Sequence, residues 1–252
     1  MTPRAQRWLQ GTVLALVGAA AVVAAVAWFL HTHERVEEQE PEPASGEVLW
    51  NPLYALRQSL VADGQRAVSR QRLQPGLFAS APGDTVLLDI DPAQLRGDEV
   101  DALLDWVDRG GHLLVRTPPP GPVDGDEDDA AAASAVPPLL HRLGVEALAA
   151  PQCVHLQVEA DDPHVELCEG LRLRLGDVRP RLAWGDAEAG HAFVRIDHGQ
   201  GTVDLLADFD FLQNPQLDEA THQSLARQLL APNYGRGTVH LVHATYLPSL
   251  WW

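Results

Sequence analysis

The stretch TVLLDIDPAQLRGDEVDALLDWVDRGGHLLVR, residues 85–116, decides the fold class. Thr85-Val86-Leu87-Leu88-Asp89-Ile90 is a near-continuous apolar run bounded by Gly83-Asp84 and Asp91-Pro92. A strand covered on both faces reads this way, as in a parallel sheet. From Asp98 to Asp108 the period changes, and Val100, Leu103, Leu104 and Val107 fall on one helical face. Gly110-Gly111 ends that helix in the usual C-cap place. His112-Leu113-Leu114-Val115-Arg116 is the next strand. The segment therefore spells one βαβ unit, with a right-handed crossover expected.

The flanks extend the pattern. Upstream, Asn51-Pro52 opens a helix with Pro at its first position, and Leu53, Leu56, Leu60 and Val61 repeat at helical spacing. A strand is expected around Ala67–Leu73, at an edge because of its polar content. Downstream, 117–135 is a Pro-rich and then acidic loop. A short helix at Pro138–Leu143 follows. Gln152–Glu159 and Val165–Leu175 alternate like strands of a small antiparallel insertion, and further strands are expected at Arg181–Trp184 and His191–Asp197. Gly199-Gln200-Gly201 turns a hairpin into the apolar strand Thr202–Ala207. An amphipathic helix Asp218–Leu230 and a last strand Gly237–His243 complete the pattern. Helices alternating with apolar strands predict a three-layer α/β domain over 49–247.

The N-terminus is of another kind. Gly11 to Leu30 are twenty residues without a charge, mostly Ala, Val and Leu. At about 1.5 Å per residue that helix is about 30 Å long, the thickness of a hydrocarbon core. Arg4 and Arg7 precede it, and Glu34, Glu37, Glu38, Glu40 and Glu42 follow. The positive-inside rule then keeps residues 1–10 in the cytoplasm and places the rest outside. The competing reading is a cleaved signal peptide, for which Ala25-Val26-Ala27 fits the cleavage site. Trp28, Phe29 and Leu30 continue the apolar run and fit an anchor in the inner membrane better. Residues 31–48 are Glu- and Pro-rich and read as an extended tether. The tail 248–252 ends in Trp251-Trp252. It suits a membrane-proximal position or the start of a second spanning helix; packing of both Trp on the domain is the other reading.

Charge and cysteine count exclude several functions. The net charge is −17, and all 18 basic residues besides histidine are arginine. A nucleic-acid binder needs a basic face, so none is expected. Segments 34–47 and 124–129 together carry −10 of the −17, so the folded part is only mildly acidic. The loop Asp124–Asp129 fails as a calcium loop: its sixth position is Asp129, not Gly, and its twelfth is Ala135, not Glu. The histidines are scattered, and neither a metal site nor a cofactor is expected. Cys153 and Cys168 flank a hairpin turning at 160–163, in a register that sets them opposite each other. An exported domain allows a disulfide there; two buried thiols are the alternative.

The run Gly199-Gln200-Gly201-Thr202-Val203-Asp204-Leu205-Leu206-Ala207-Asp208, continued by Phe211-Leu212-Gln213-Asn214, resembles the bacterial membrane-anchored family called domain of unknown function 4350. Asn51-Pro52-Leu53-Tyr54-Ala55-Leu56 is similar to that family's opening helix. Trp106-Val107-Asp108-Arg109-Gly110-Gly111 is similar to its helix end. The resemblance covers most of 49–247 and implies an amidotransferase-like or flavodoxin-like sheet. It also implies membrane-protein partners, in a system with a MoxR-type AAA ATPase, besides the lipid bilayer.

An amidotransferase needs a nucleophilic Cys on the turn after a central strand. The position after His112–Arg116 holds Thr117-Pro118-Pro119-Pro120 and no Cys or Ser, so no catalytic residue is expected. The candidate ligand residues are Asp89 and Asp91 with Asp208 and Asp210, at the C-terminal ends of two apolar strands, and Asn214 beside them. That edge hosts ligands in open α/β sheets. The competing reading is turn formation and helix capping by these same side chains. The chain is thus expected to be a non-catalytic, membrane-anchored, extracytoplasmic binding or scaffold component, the alternative being a ligand sensor or hydrolase.

Overall fold

The computed structural model describes residues 3–32, 46–73, 81–119, 137–149, 153–157, 164–168, 170–186 and 188–243. The acidic loop, the tether and the Trp-Trp tail lie outside these. Two compact units divide the chain, Met1–Pro43 and Ala44–Trp252.

The first unit holds helix α1, Pro3–Thr32, 30 residues long. Among the described residues no helix is long and apolar enough to cross a membrane. For 11–30 the structure gives a helix within Pro3–Thr32; a membrane span there is not shown.

In the second unit the opening helix α2 runs Tyr54–Ala62 and starts later than the Pro rule predicts. The reason is local. Asn51 Oδ1 accepts from Leu53 N at 3.0 Å and fixes a turn ahead of the helix. Strand β1, Arg66–Arg70, is an edge strand as its polarity predicts. Strand β2, Thr85–Asp89, helix α3, Gly97–Asp108, and strand β3, His112–Arg116, form the βαβ unit. Gly110 takes φ +111° past the end of α3, and a Cβ on Gly111 would lie 2.5 Å from the Trp106 ring. The Gly-Gly pair thus serves both the turn and the approach of indole to backbone.

Helix α4, Pro138–Arg142, leads into strand β4, Val145–Leu148, which the sequence reading did not find. Strands β5, Val154–Gln157, and β6, His164–Leu167, make a separate hairpin. Strand β7 is Arg172–Leu175, β8 Leu182–Asp186, β9 Gly190–His198 and β10 Gly201–Leu206. Helix α5, Ala220–Leu230, and strand β11, Thr238–His243, complete the set.

The main sheet has nine strands in the order β1-β11-β2-β3-β10-β9-β7-β4, with β8 paired to β9. β1, β11, β2, β3 and β10 are mutually parallel, and the rest join antiparallel. Two expectations are corrected here. A flavodoxin-like sheet runs 2-1-3-4-5; here the last parallel strand is inserted between the first two. The connection from β1 to β2 leaves one strand position open, and the crossover through α5 carries β11 back into it. Secondly, 165–175 is not one strand. It breaks at Gly170, where φ is +76° and a Cβ would lie 1.7 Å from Ala207 O. Only β5–β6 is an insertion; β4, β7, β8 and β9 enlarge the main sheet.

Strand alternation divides the core into two layers. Leu87, Leu114, Leu206 and Leu241 pack with Leu56 and Leu60 of α2 and with Leu225 and Leu229 of α5. Val86, Leu88, Leu113, Val115 and Val203 pack with Val100, Leu103 and Val107 of α3 and with Leu139 of α4. Helices on both faces explain why the central strands are apolar at nearly every position.

The hairpin lies over the first layer, burying Val165 and Leu167 completely. Its register pairs Val154 with Leu167, and Cys153 and Cys168 form a disulfide one step beyond. The crosslink closes a loop with a sequence separation of 15. Closing a loop of this size stabilises a fold by about 3 kcal/mol on the chain-entropy model. Reduction, or Cys153→Ser with Cys168→Ser, is therefore expected to lower the urea unfolding free energy by about that amount, with far-UV circular dichroism unchanged before the transition.

Candidate functional site

The C-terminal edge of the parallel strands brings together Asp89 from β2, Arg116 from β3, Asp208 and Asp210 after β10, and His243 from β11. His243 is the direct neighbour of Asp89 in register. Arg116 Nε lies 3.2 Å from Asp89 Oδ1, as a contact of opposite charges rather than an aligned hydrogen bond. Burial pushes the Asp89 carboxyl above the ordinary carboxylate value of 3.8; Arg116 opposes that shift and Asp210 adds to it. Asp208 is nearly buried, and its Oδ1 accepts from Asp210 N at 3.3 Å. Its charge also acts on Arg172 of β7, whose guanidinium burial shifts downward in pKa while Asp208 opposes. Asp210 Oδ1 accepts from Gln213 Nε2 at 3.2 Å.

Not all five sequence candidates gather there. Asp91 caps the short turn Pro92–Gln94, its Oδ1 accepting from Ala93 N at 2.9 Å. Asn214 is turned to the opening of the domain. Its Oδ1 accepts from Ala55 N at 2.8 Å, and its Nδ2 donates to Asn51 O at 2.8 Å and to Val48 O at 3.3 Å. Its backbone N donates to Pro52 O at 2.9 Å. Asn214 thus ties the entry segment to the β10–α5 loop. Asn51 is used in the same way, its Nδ2 donating to Glu47 Oε1 at 2.8 Å and to Ser69 Oγ at 3.0 Å.

The position after β3 is sealed. The Thr117 hydroxyl donates to Ala207 O at 2.6 Å and accepts from Leu171 N at 2.8 Å, and the residue is 1% exposed. An attacking hydroxyl must be reachable and have a base to take its proton. This one bonds two backbone groups, and Gly170 is pressed on it from above.

The sequence reading passed over a buried triad of charged and polar groups on the face toward α5. Asp204, in the middle of β10, is fully buried and receives a bidentate grip from Arg195 of β9. Nε donates to Oδ1 at 2.7 Å and Nη2 to Oδ2 at 2.6 Å. His112 Nε2 sits 3.0 Å from Asp204 Oδ2, and Arg195 Nη2 also donates to Leu229 O at 3.1 Å. One signal was available: a carboxylate inside an apolar strand covered on both faces has to be paired. A His–Asp pair is two of the three members of a hydrolytic triad in form. With His112 and Asp204 both at zero exposure, no substrate reaches it. A second buried pair, Asp84 with His240, lies at the opposite end of β2 and β11. Asp84 Oδ1 accepts from Thr238 N at 2.7 Å, and His240 Nε2 stands 3.4 Å from Oδ2. Among the described residues no group of His, Cys, Asp and Glu is arranged to hold a metal ion.

The family model described as "Domain of unknown function (DUF4350)" matches residues 45–230. Among solved structures, the mmIFT52 N-terminal domain superposes with a TM-score of 0.50 at 13% identity, covering 73% of this chain and 91% of that one. That likeness concerns the fold alone. The exo-β-1,4-mannosidase Op5Man5 from Opitutaceae bacterium strain TAV5 gives 0.39 at 17% identity over 80% of this chain. The β-galactosidase from Bacillus circulans sp. alkalophilus gives 0.37 at 12% identity over 59%. The chain spans 33% of the mannosidase and 22% of the galactosidase. No curated protein sequence matches it.

Two outcomes are expected from these charges. Asp204→Ala strands a buried guanidinium, and breaking such a pair from one side costs about 3–5 kcal/mol. Urea denaturation should show that loss, and the double replacement Asp204→Leu with Arg195→Met should recover part of it. For Asp89 the folded carboxyl binds its proton more tightly than the unfolded one. Stability therefore falls as pH rises through the window between those two pKa values. The unfolding free energy of Asp89→Asn, measured against the parent protein, should shift in the variant's favour as pH rises above the ordinary carboxylate value.

Proposed function

The chain belongs to the DUF4350 family, and from that membership we propose that it is a non-catalytic binding or scaffold component of a bacterial membrane complex. The observation carrying this reading is the sealing of the position after β3, together with the commitment of the polar side chains in the loops around the sheet. Thr117, Asn214, Asn51 and Asp91 each bond backbone or neighbouring side chains of the domain itself. A site built for turnover keeps its reactive groups aimed at a space for substrate. We read the sheet as an amidotransferase-like domain whose nucleophile position is filled by the sealed Thr117.

In this proposal α1 anchors the chain in the inner membrane, with residues 1–10 cytoplasmic and the domain outside. Support comes from its sequence, twenty residues without charge, and from Leu14, Val23 and Trp28, whose side chains are each more than 60% exposed. Side chains of that kind favour an apolar medium. The arginines before the run and the glutamates after it set the orientation. Partners are membrane proteins, with a MoxR-type AAA ATPase implied by the family resemblance.

One observation favours the alternative, a ligand sensor or hydrolase. Asp89 is neighboured by Asp210, and burial raises its carboxyl above the ordinary value, a kind of shift that clusters at functional sites.

Affinity purification of the full chain from detergent-solubilised membranes separates the readings. The scaffold reading expects one or more membrane proteins in fixed stoichiometry with the chain, and no hydrolysis of model amides or esters. Purification of the chain alone, with hydrolysis abolished by Asp89→Asn, would overturn it. Protease added to spheroplasts should cleave the domain; protection would overturn the orientation.

A further inference from the structure

The segment Gly46–Leu49 and the residue after it form an exposed corner of the domain. Leu49 is 67% and Trp50 38% exposed, in a domain that otherwise buries most of its large apolar side chains. The corner is rigidly built. Asn51 N and Trp50 N both donate to Glu47 O, at 3.0 and 3.2 Å, and Asn51 Nδ2 bonds Ser69 of β1. The Trp50 ring lies 6.2 Å from the ring of His243, the last residue of β11. Arg70 ends β1 opposite Val242, and the exposed Arg72 follows two residues later on the same edge. Glu47, within the corner itself, is neutralised by Arg57 at 2.7 Å. From His243, which Trp50 meets, Asp89 of β2 is one strand spacing away, about 5 Å, and paired with Arg116, and the carboxylates after β10 are three spacings away, about 14 Å.

An apolar side chain, an indole with one wet edge, and arginine on a single rim are the chemistry of a membrane–water interface. The position of the corner adds an independent argument. The chain enters the domain here at Gly46, only the thirteen residues 33–45 after α1. It leaves here at His243, ahead of Tyr246, Leu247, Leu250, Trp251 and Trp252. Thirteen residues reach at most about 45 Å. On the anchor reading, the corner never moves farther than that from the headgroups. Contact with them is then an intramolecular event at high effective concentration, and a weak surface suffices.

We propose that this β1 corner, with Leu49, Trp50 and Arg72, contacts lipid and seats the domain with the C-terminal edge of its sheet toward the membrane. The inference rests on α1 being a membrane anchor, and it adds a face and an orientation to that reading. It also gives the sealed strand ends a physical context. An edge turned to the headgroups is shielded from soluble substrates and open to neighbours in the membrane plane.

The test uses the full chain, its native disulfide kept oxidised, reconstituted in vesicles of phosphatidylcholine with or without phosphatidylglycerol. Leu49→Cys and, as control, Arg236→Cys at the opposite edge are each labelled with an environment-sensitive fluorophore. The expected result is a blue-shifted label at 49, quenched several-fold more by lipid-borne nitroxides than the label at 236. Adding Arg72→Glu should weaken the quenching at 49 in the anionic vesicles more than in the neutral ones. Equal, water-like emission at both positions overturns the lipid contact, and so does quenching at 236 matching that at 49. Alkaline carbonate washing reads the anchor separately: release of the chain overturns the anchor, whatever the two labels report.

Discussion

Asp204 is the constraint around which the sheet is organised. A carboxylate at zero exposure in the middle of β10 is tolerated only with its lone pairs filled. Filling them takes a residue from each neighbouring strand, Arg195 from β9 and His112 from β3. β9 is antiparallel to β10 and β3 is parallel to it, so the network sits where the parallel core meets the antiparallel extension. Arg195 also reaches the carbonyl of Leu229 in the last turn of α5, where a helix presents unsatisfied oxygens and partial negative charge. A one-residue slip in any of these strands would turn its charged group to the wrong face. The network therefore specifies register more than it adds net stability, because desolvation offsets much of the Coulomb attraction.

A second set of bonds closes the domain on itself. Asn214 follows β10 but bonds to Val48, Asn51, Pro52 and Ala55, more than 150 residues earlier. Two of the sequence motifs that carry the family resemblance, at 51–56 and 211–214, are in this sense one structural device. Their residue types follow from geometry: a short amide has both a donor and an acceptor and satisfies the backbone groups left open ahead of a helix. This is an architectural role, and it explains how such motifs can be distinctive without belonging to a reaction.

The parallel core was legible in the sequence because burial on both faces leaves one-dimensional traces. Thr85–Asp89, His112–Arg116 and Gly201–Leu206 are apolar runs between turn residues, and the face of α3 repeats at helical spacing. What failed was non-local. β4 is four residues long and half exposed, too short to show a period. The break at Gly170 depends on the approach of Ala207, and nothing in 165–175 announces it. The place of β11 between β1 and β2 follows from which gap the α5 crossover reaches, a property of the whole sheet. The site was legible only in outline. Proximity to a strand end was correct for Asp89, Asp208 and Asp210, whereas Asp91 and Asn214 are drawn off by capping and clasp bonds that their residue types also favour.

The same strand ends bear on the scaffold reading proposed above. In this architecture the C-terminal edge is the natural crevice, because the connections leave it toward opposite faces. Here the segment leading into β7 is folded back over it, and Thr117 bridges the carbonyl of Ala207 and the amide of Leu171. The bridge satisfies backbone groups that would otherwise face either water or a ligand. At that position the edge is closed, whereas Arg116 and Asp210 farther along it keep part of their surface. On that reading recognition would fall to the rim, where Leu49 and Trp50 stand exposed beside His243. On the scaffold reading proposed above, the rigid sheet would meet its partners at its margins while the position after β3 stays closed.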